Sequence, residues 1–152
     1  MSSTTVRPVR AGDLEAVITL DQRVTGTSRR GFYQKRFAAA EADPKAFVWL
    51  VASQDGILAG FVSAQILDGE FGGDTPVAVL DAVGTAPEKR GHGLGRALMA
   101  ALEAELRARR VSEIHSEADW TEQDLIAFFA KSGFHLSPQL VLENACQTSA
   151  DL

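Results

Sequence analysis

The stretch with the clearest chemistry is Pro87-Glu88-Lys89-Arg90-Gly91-His92-Gly93-Leu94-Gly95-Arg96, where glycines alternate with other residues. Glycine has no Cβ and enters positive φ, so such a loop can curl tightly and aim several N–H groups into one hollow. Behind it, Leu94, Leu98, Leu102 and Leu106 trace an apolar stripe at helical spacing, so the positive end of a helix dipole meets those donors. The combination predicts an anion site, favoured by roughly 0.3–1 kcal/mol through the dipole and about 1.5–3 kcal/mol per charge-assisted hydrogen bond. A pyrophosphate suits it. The alternative is a tight strand-to-helix connection that holds nothing. The neighbours disfavour two better-known phosphate loops. A GxGxxG fingerprint starting at Gly91 would need glycine where Arg96 stands, and no Gly-Lys-Ser/Thr closes a Walker loop.

Composition narrows the partners. The chain has 152 residues, 45% of them hydrophobic, with 15 Lys and Arg against 20 Asp and Glu for a formal charge of −5. This is ordinary globular usage, and a chain of this length buries enough surface to fold as one domain, 1–152, without metals or disulfides. An acidic chain has no basic field, so no nucleic-acid partner is expected and any phosphate must be held by local geometry. The longest apolar runs, such as Ala46 to Ala52, fall short of the ~20 residues that span a bilayer, so no membrane partner is expected. The amino end also lacks the apolar stretch of a signal peptide. The single cysteine, Cys146, suits a reducing, cytoplasmic setting. His115 and His135 lack the spacing of metal ligands, so no metal is expected.

The elements that must position the glycine loop follow from periodicity. A short strand is expected around Val6 to Val9, then a helix capped by Asp13 with Leu14, Val17 and Ile18 inward, and a second helix over Arg29 to Ala42, ending before Asp43-Pro44. Phe47 to Ala52 and Ile57 to Leu67 read as strands joined at Asp55-Gly56, and Val77 to Thr85 as a third, central strand. The long helix runs from Leu94 to about Arg110, with Glu103–Arg107 and Glu105–Arg109 pairs at the favourable spacing. Ile114 to Ala118 is a strand parallel to the central one, since the helix between them makes a crossover. A last helix from Glu122, capped by Thr121, stops at Gly133, and Phe134 to Leu136 and Leu140 to Glu143 would be two final strands. The fold class is α/β (α+β), a mixed central sheet with helices on both faces.

With these residues and this order in view, the chain resembles the GNAT superfamily of acyl-CoA-dependent N-acetyltransferases over nearly its whole length. Arg90-Gly91-His92-Gly93-Leu94-Gly95 is similar to the family's Gln/Arg-x-x-Gly-x-Gly/Ala signature. LIAFFAKSGF is similar to its later helix ending in LYEKxGF. The resemblance implies that the backbone N–H groups of Arg90, Gly91, His92, Gly93, Leu94, Gly95 and Arg96 hold the pyrophosphate of acetyl-CoA, with the Arg90 and Arg96 side chains adding charge. It implies that the strand edge at Val83 and Thr85 receives the pantetheine arm as an added strand, with the Val83 N–H aimed at the thioester carbonyl.

The sequence departs from the family at two chemical positions. The tyrosine that usually protonates the departing thiolate is Phe129, which can pack on pantetheine but has no proton to give. A thiol with pKa ~8.5 tolerates leaving without an acid. The glutamate that some members use as base is Val79. An amine of pKa ~10.4 is almost wholly protonated near neutrality, so a base is needed. Asp81 is the candidate. It stands two residues before Val83, and strand alternation would put both side chains on one face near the acyl group; the alternative is a carboxylate that only orients backbone or an arginine. Glu117 and Asp119 are secondary candidates, with an exposed strand end as the alternative.

Weaker readings attach elsewhere. His92 is expected to contribute its backbone, Tyr33 and Trp120 packing near the acceptor, and Cys146 nothing catalytic. The early helices carry Arg29, Arg30, Lys35 and Arg36, expected as a solvated face or as recognition of an anionic acceptor. The expected function is acetyl transfer from acetyl-CoA to a primary amine, small molecule or protein, by direct attack in a ternary complex. A non-catalytic acyl-CoA sensor or interaction module is the alternative. Family dimers make a homodimer the expected assembly.

Overall fold

The computed structural model describes residues 3–146, which form two compact units, one ending at Asp119 and the other beginning at Trp120. The first unit is built on a five-stranded sheet, β1 (Thr4–Pro8), β2 (Phe47–Gln54), β3 (Ile57–Leu67), β4 (Val77–Thr85) and β5 (Ile114–Ser116), in that spatial order. The first four strands are antiparallel neighbours, and β5 runs parallel to β4. At the β2–β3 hairpin Asp55 and Gly56 both take positive φ, 53° and 84°, which matches the twist of a two-residue turn to the twist of its strands.

Helices cover both faces. On one side lie α1 (Leu14–Thr25) and α2 (Arg30–Ala42), whose Tyr33 is fully buried with its ring 5.8 Å from that of Phe61 in β3 and 5.9 Å from that of Trp49 in β2. On the other lies α3 (Leu94–Ala108), with Leu94, Leu98, Met99, Leu102 and Leu106 buried. The faces are distinguished on β3 itself. A Cβ placed on Gly60 would stand 3.0 Å from Leu98 of α3, while the next residue, Phe61, points at Tyr33.

Two local expectations are corrected. Asp13 does not cap α1 through its side chain. A single 3-10 turn, Ala11–Asp13, precedes the helix, and the Asp13 carboxylate accepts from the Arg10 N–H (2.7 Å) and from both Nη atoms of Arg7 (2.7 and 2.9 Å), tying β1 to the helix start. The final two strands do not form. The second unit holds α4 (Gln123–Lys131), preceded by Glu122 rather than Thr121 as its cap residue and closed by Gly133 at φ 93°. Residues 134–146 carry no strand, and Leu136, Leu140, Val141 and Leu142 are exposed. Their strand-like composition lacks a ladder partner among the described residues, and Pro138 in their midst has no N–H to offer one.

Candidate active site

The decisive local feature lies in the middle of β4. The Ala78 N–H donates to Glu113 O, on the β5 side (3.0 Å), whereas the Ala86 N–H, just past the strand, donates to Ala59 O, on the β3 side (2.7 Å). Strict alternation would send the two the same way, because both are even-numbered. One residue has therefore been inserted between them. The register locates it: Ser63 faces Ala82, but Ala64 faces Leu80, leaving Asp81 as the extra residue of a β-bulge. Beyond the bulge, even-numbered N–H groups serve β3, so those of Val83 and Thr85 point away from it. On that other side the ladder to β5 ends at Leu80 opposite Ser116. The Val83 and Thr85 amides thus line an open edge.

The bulge also corrects the expectation that Asp81 and Val83 share a face. Thr85 and Val83 pair with Gly60 and Val62 on the side of Leu98 and α3, whereas the Asp81 carboxylate meets Arg36 of α2 on the opposite side.

From this edge the chain passes through a 3-10 turn, Pro87–Lys89, into the glycine loop. Gly91 and Gly93 have φ of 83° and 81°, and a Cβ on either would have no heavy atom within 4 Å. Gly93 caps α3 with its backbone, and no side chain caps the helix. Two of the seven loop amides, 90–96, are already bonded within the chain. The Arg90 and His92 amides are turned inward to Pro87 O (3.4 Å) and Lys89 O (3.2 Å). Those of Gly91, Gly93, Leu94, Gly95 and Arg96 have no backbone acceptor among the described residues. The side chains of Arg90, His92 and Arg96 are exposed around them. Arg23, in the last turn of α1, pairs with Glu88 and ties the 3-10 turn to that helix.

Asp81 sits where β4 and β5 part, with its side chain 17% exposed. Its Oδ2 is 2.9 Å from Arg36 Nη2, and Arg36 Nη1 donates to Gln65 Oε1 at 3.0 Å. The Ser63 hydroxyl lies close enough to favour the Asp81 charge but outside hydrogen-bond geometry, so Ser63 Oγ, Asp81 Oδ1 and Arg36 Nε are all buried without a partner. Burial pushes the Asp81 carboxyl above the usual aspartate range, opposed chiefly by the Arg36 charge. That displacement moves a carboxylate toward the range where it can take a proton.

The basic run is exposed at Arg29, Arg30 and Lys35, as a solvated face would be, but Arg36 turns inward and three of the four form ion pairs. Arg29 grips the buried Asp21 carboxylate with Nε and Nη2 (2.8 and 2.6 Å), Arg30 grips Glu15 (2.6 and 2.9 Å), and Arg36 holds Asp81. Tyr33 accepts from Arg29 at 3.2 Å, and burial raises its phenol far above the ordinary value, so it stays neutral. Glu117, Asp119 and Trp120 are exposed, and His115 lies 3.2 Å from Glu113. In the second unit Phe129 is buried, its ring 4.8 Å from that of Phe134. A cavity of about 390 Å³ lined by Phe37, Phe47, Trp49 and Arg109 among others contains neither the loop nor β4. An extended ligand lying along a strand edge needs no such enclosure. Among the described residues no group of three or more His, Cys, Asp or Glu could hold a metal ion, and no helix is long and apolar enough to cross a membrane.

An open strand edge running into a helix N-terminus with unpaired amides is where the comparisons with known proteins meet the structure. The family model described as Acetyltransferase (GNAT) family matches residues 14–134, from the start of α1 to just past α4. The chain belongs to the GNAT acetyltransferase family. Within GNAT proteins, a mycothiol acetyltransferase from Thermobispora bispora is 34% identical over 92 residues, covering 60% of this chain and 30% of that protein. The chain thus spans under a third of that relative. The GNAT fold is matched throughout by the aminoglycoside N-acetyltransferase AAC(6')-Iy, solved with CoA, at TM-score 0.80 and 18% identity over 97% of both chains. AAC(6')-Ih from Acinetobacter baumannii matches at 0.79 and 19% over 96% of this chain and 100% of that one. A transcriptional regulator from Bacillus halodurans matches at 0.77 and 20% over 93% and 99%. At these identities the likeness is one of fold.

Proposed function

We propose that the chain transfers the acetyl group of acetyl-CoA to a primary amine by direct attack in a ternary complex. The observation that carries this reading is the bulge at Asp81. It turns the Val83 and Thr85 amides to an unpaired edge that leads straight to the unpaired amides of Gly91, Gly93, Leu94, Gly95 and Arg96. The edge receives the pantetheine amides as an added strand, and the loop receives the pyrophosphate. Both positive-φ glycines leave open the space that a phosphate needs. AAC(6')-Iy, the fold match above, was solved in complex with CoA.

In the proposed reaction the amine nitrogen bonds to the thioester carbonyl carbon, the C–S bond breaks, and CoA leaves as the thiolate. The Val83 N–H faces the oxygen on which negative charge develops, and one such donor is typically worth ~10²–10³ in rate. The proton lost by the ammonium goes to Asp81 and then to solvent. Phe129 has no proton for the thiolate, which leaves unassisted or takes one from water.

Thiol release from acetyl-CoA, measured across a panel of diamines, amino acids, peptide N-termini and aminoglycosides, tests this. The last belong there because fold matches were solved with sisomicin and with an acetylneamine bisubstrate analogue. Turnover with at least one amine is expected. Binding of acetyl-CoA without turnover of any amine would favour the second reading, an acyl-CoA sensor, which the engagement of Asp81 by Arg36 supports. Either activity is placed in the cytosol, where the free, exposed thiol of Cys146 would stay reduced. The exposed Leu136, Leu140, Val141 and Leu142 support pairing with a second copy.

A further inference from the structure

Arg29 and Arg30 pair with Asp21 and Glu15 of α1, whereas Arg36, in α2, reaches the sheet. Its Nη2 meets Asp81 Oδ2 at 2.9 Å, its Nη1 meets Gln65 Oε1 at 3.0 Å, and its guanidinium carbon lies 5.1 Å from the Phe32 ring centroid and 5.9 Å from that of Phe47. Four contacts from α2, β2, β3 and β4 therefore fix one planar group, which a flexible ammonium could not satisfy together. We propose that Arg36 is a positioning residue for the base: it orients the Asp81 carboxylate, keeps it ionised in a mostly buried place, and so sets the lower pH limit of acetyl transfer. The inference rests on the reading of Asp81 as the base.

The surroundings leave that task to Arg36. Just before α2, Arg29 adds a weaker attraction, and its own fork is spent on Asp21 of α1. Tyr33 is neutral. β3 offers Ser63, outside bonding geometry, and Gln65, which bonds Arg36 instead. On β5, the His115 ring is turned to the exposed Glu113, and the Ser116 hydroxyl is given to Leu80 O at 2.8 Å. Arg36 is thus the main charge opposing protonation of a carboxyl that burial already pushes toward the acid. An opposite charge this near typically lowers an aspartate by 1–3 pH units, so its loss restores about that much.

The test is a pH titration of the Asp81 carboxyl carbon in full-length protein labelled with 13C-aspartate, the resonance being assigned by Asp81→Asn. The midpoint in Arg36→Gln is expected about 1–3 pH units above wild type, a 10- to 1000-fold gain in proton affinity. Arg36→Lys, which keeps the charge but loses the fork, and Gln65→Leu, which only loosens the guanidinium, are both expected to rise by less. An Arg36→Gln midpoint equal to wild type would overturn the proposal. If that variant fails to fold, a Gln65→Leu midpoint at the wild-type value overturns it instead. For whichever amine of the panel turns over, the acid limb of kcat/KM should move with the carbon titration while KM for acetyl-CoA stays put. General damage would lower the rate at every pH and leave the limb in place. A limb that ignores a real shift in the titration would remove Asp81 as base and leave only its ion pair with Arg36.

Discussion

Two residues carry opposite kinds of chemistry, one through its side chain and one through having none. Burial holds the Asp81 carboxyl above the ordinary aspartate range, which makes its carboxylate a better proton acceptor than an exposed one. Asp81→Asn is expected to slow turnover by ~10²–10⁴ while calorimetry shows unchanged CoA affinity. Unaltered turnover would remove it as base. Gly93, at φ 81° with no heavy atom within 4 Å of a Cβ position, holds a backbone shape that β-branched residues resist at a cost of roughly 1–2 kcal/mol. Its added methyls would also project into the space proposed for the phosphates. Gly93→Val is expected to weaken CoA binding at least about tenfold by calorimetry. Wild-type affinity would show that the phosphates lie elsewhere.

At the scale of elements, α3 both carries the loop and anchors it. Leu102 is fully buried on its sheet-facing stripe, and Leu102→Ala is expected to cost about 2–5 kcal/mol in denaturant unfolding. The element order through β5, the crossover helix and the glycine loop were legible because each has a periodic or a steric signature in the sequence. The bulge was not. In Val77-Ala78-Val79-Leu80-Asp81-Ala82-Val83-Gly84-Thr85 both faces of the strand are apolar because helices cover both, so an inserted residue breaks no visible alternation. The carboxylate marks Asp81 as a candidate, but nothing in the pattern tells which face it takes. Its partner Arg36 looked like one cation in a solvated run, because ion pairs joining residues far apart in sequence leave no local pattern. The final strands were misread for the opposite reason: Phe134 to Glu143 has strand composition, but pairing depends on a partner that composition does not supply.

Across the whole molecule, a formal charge of −5 opposes the approach of an anionic cofactor, and CoA carries several negative charges. On the proposed reading, binding comes from short-range donors, and the backbone of one loop and one strand edge matters more than the field of the protein. A 15N amide-resolved titration of the full chain with CoA measures this most directly. The amides of Val83, Thr85, Gly91, Gly93, Leu94, Gly95 and Arg96 should shift saturably together, with Arg90 and His92, already bonded within the loop, responding less. Saturable CoA binding that leaves the loop and β4 amides unmoved would contradict the account.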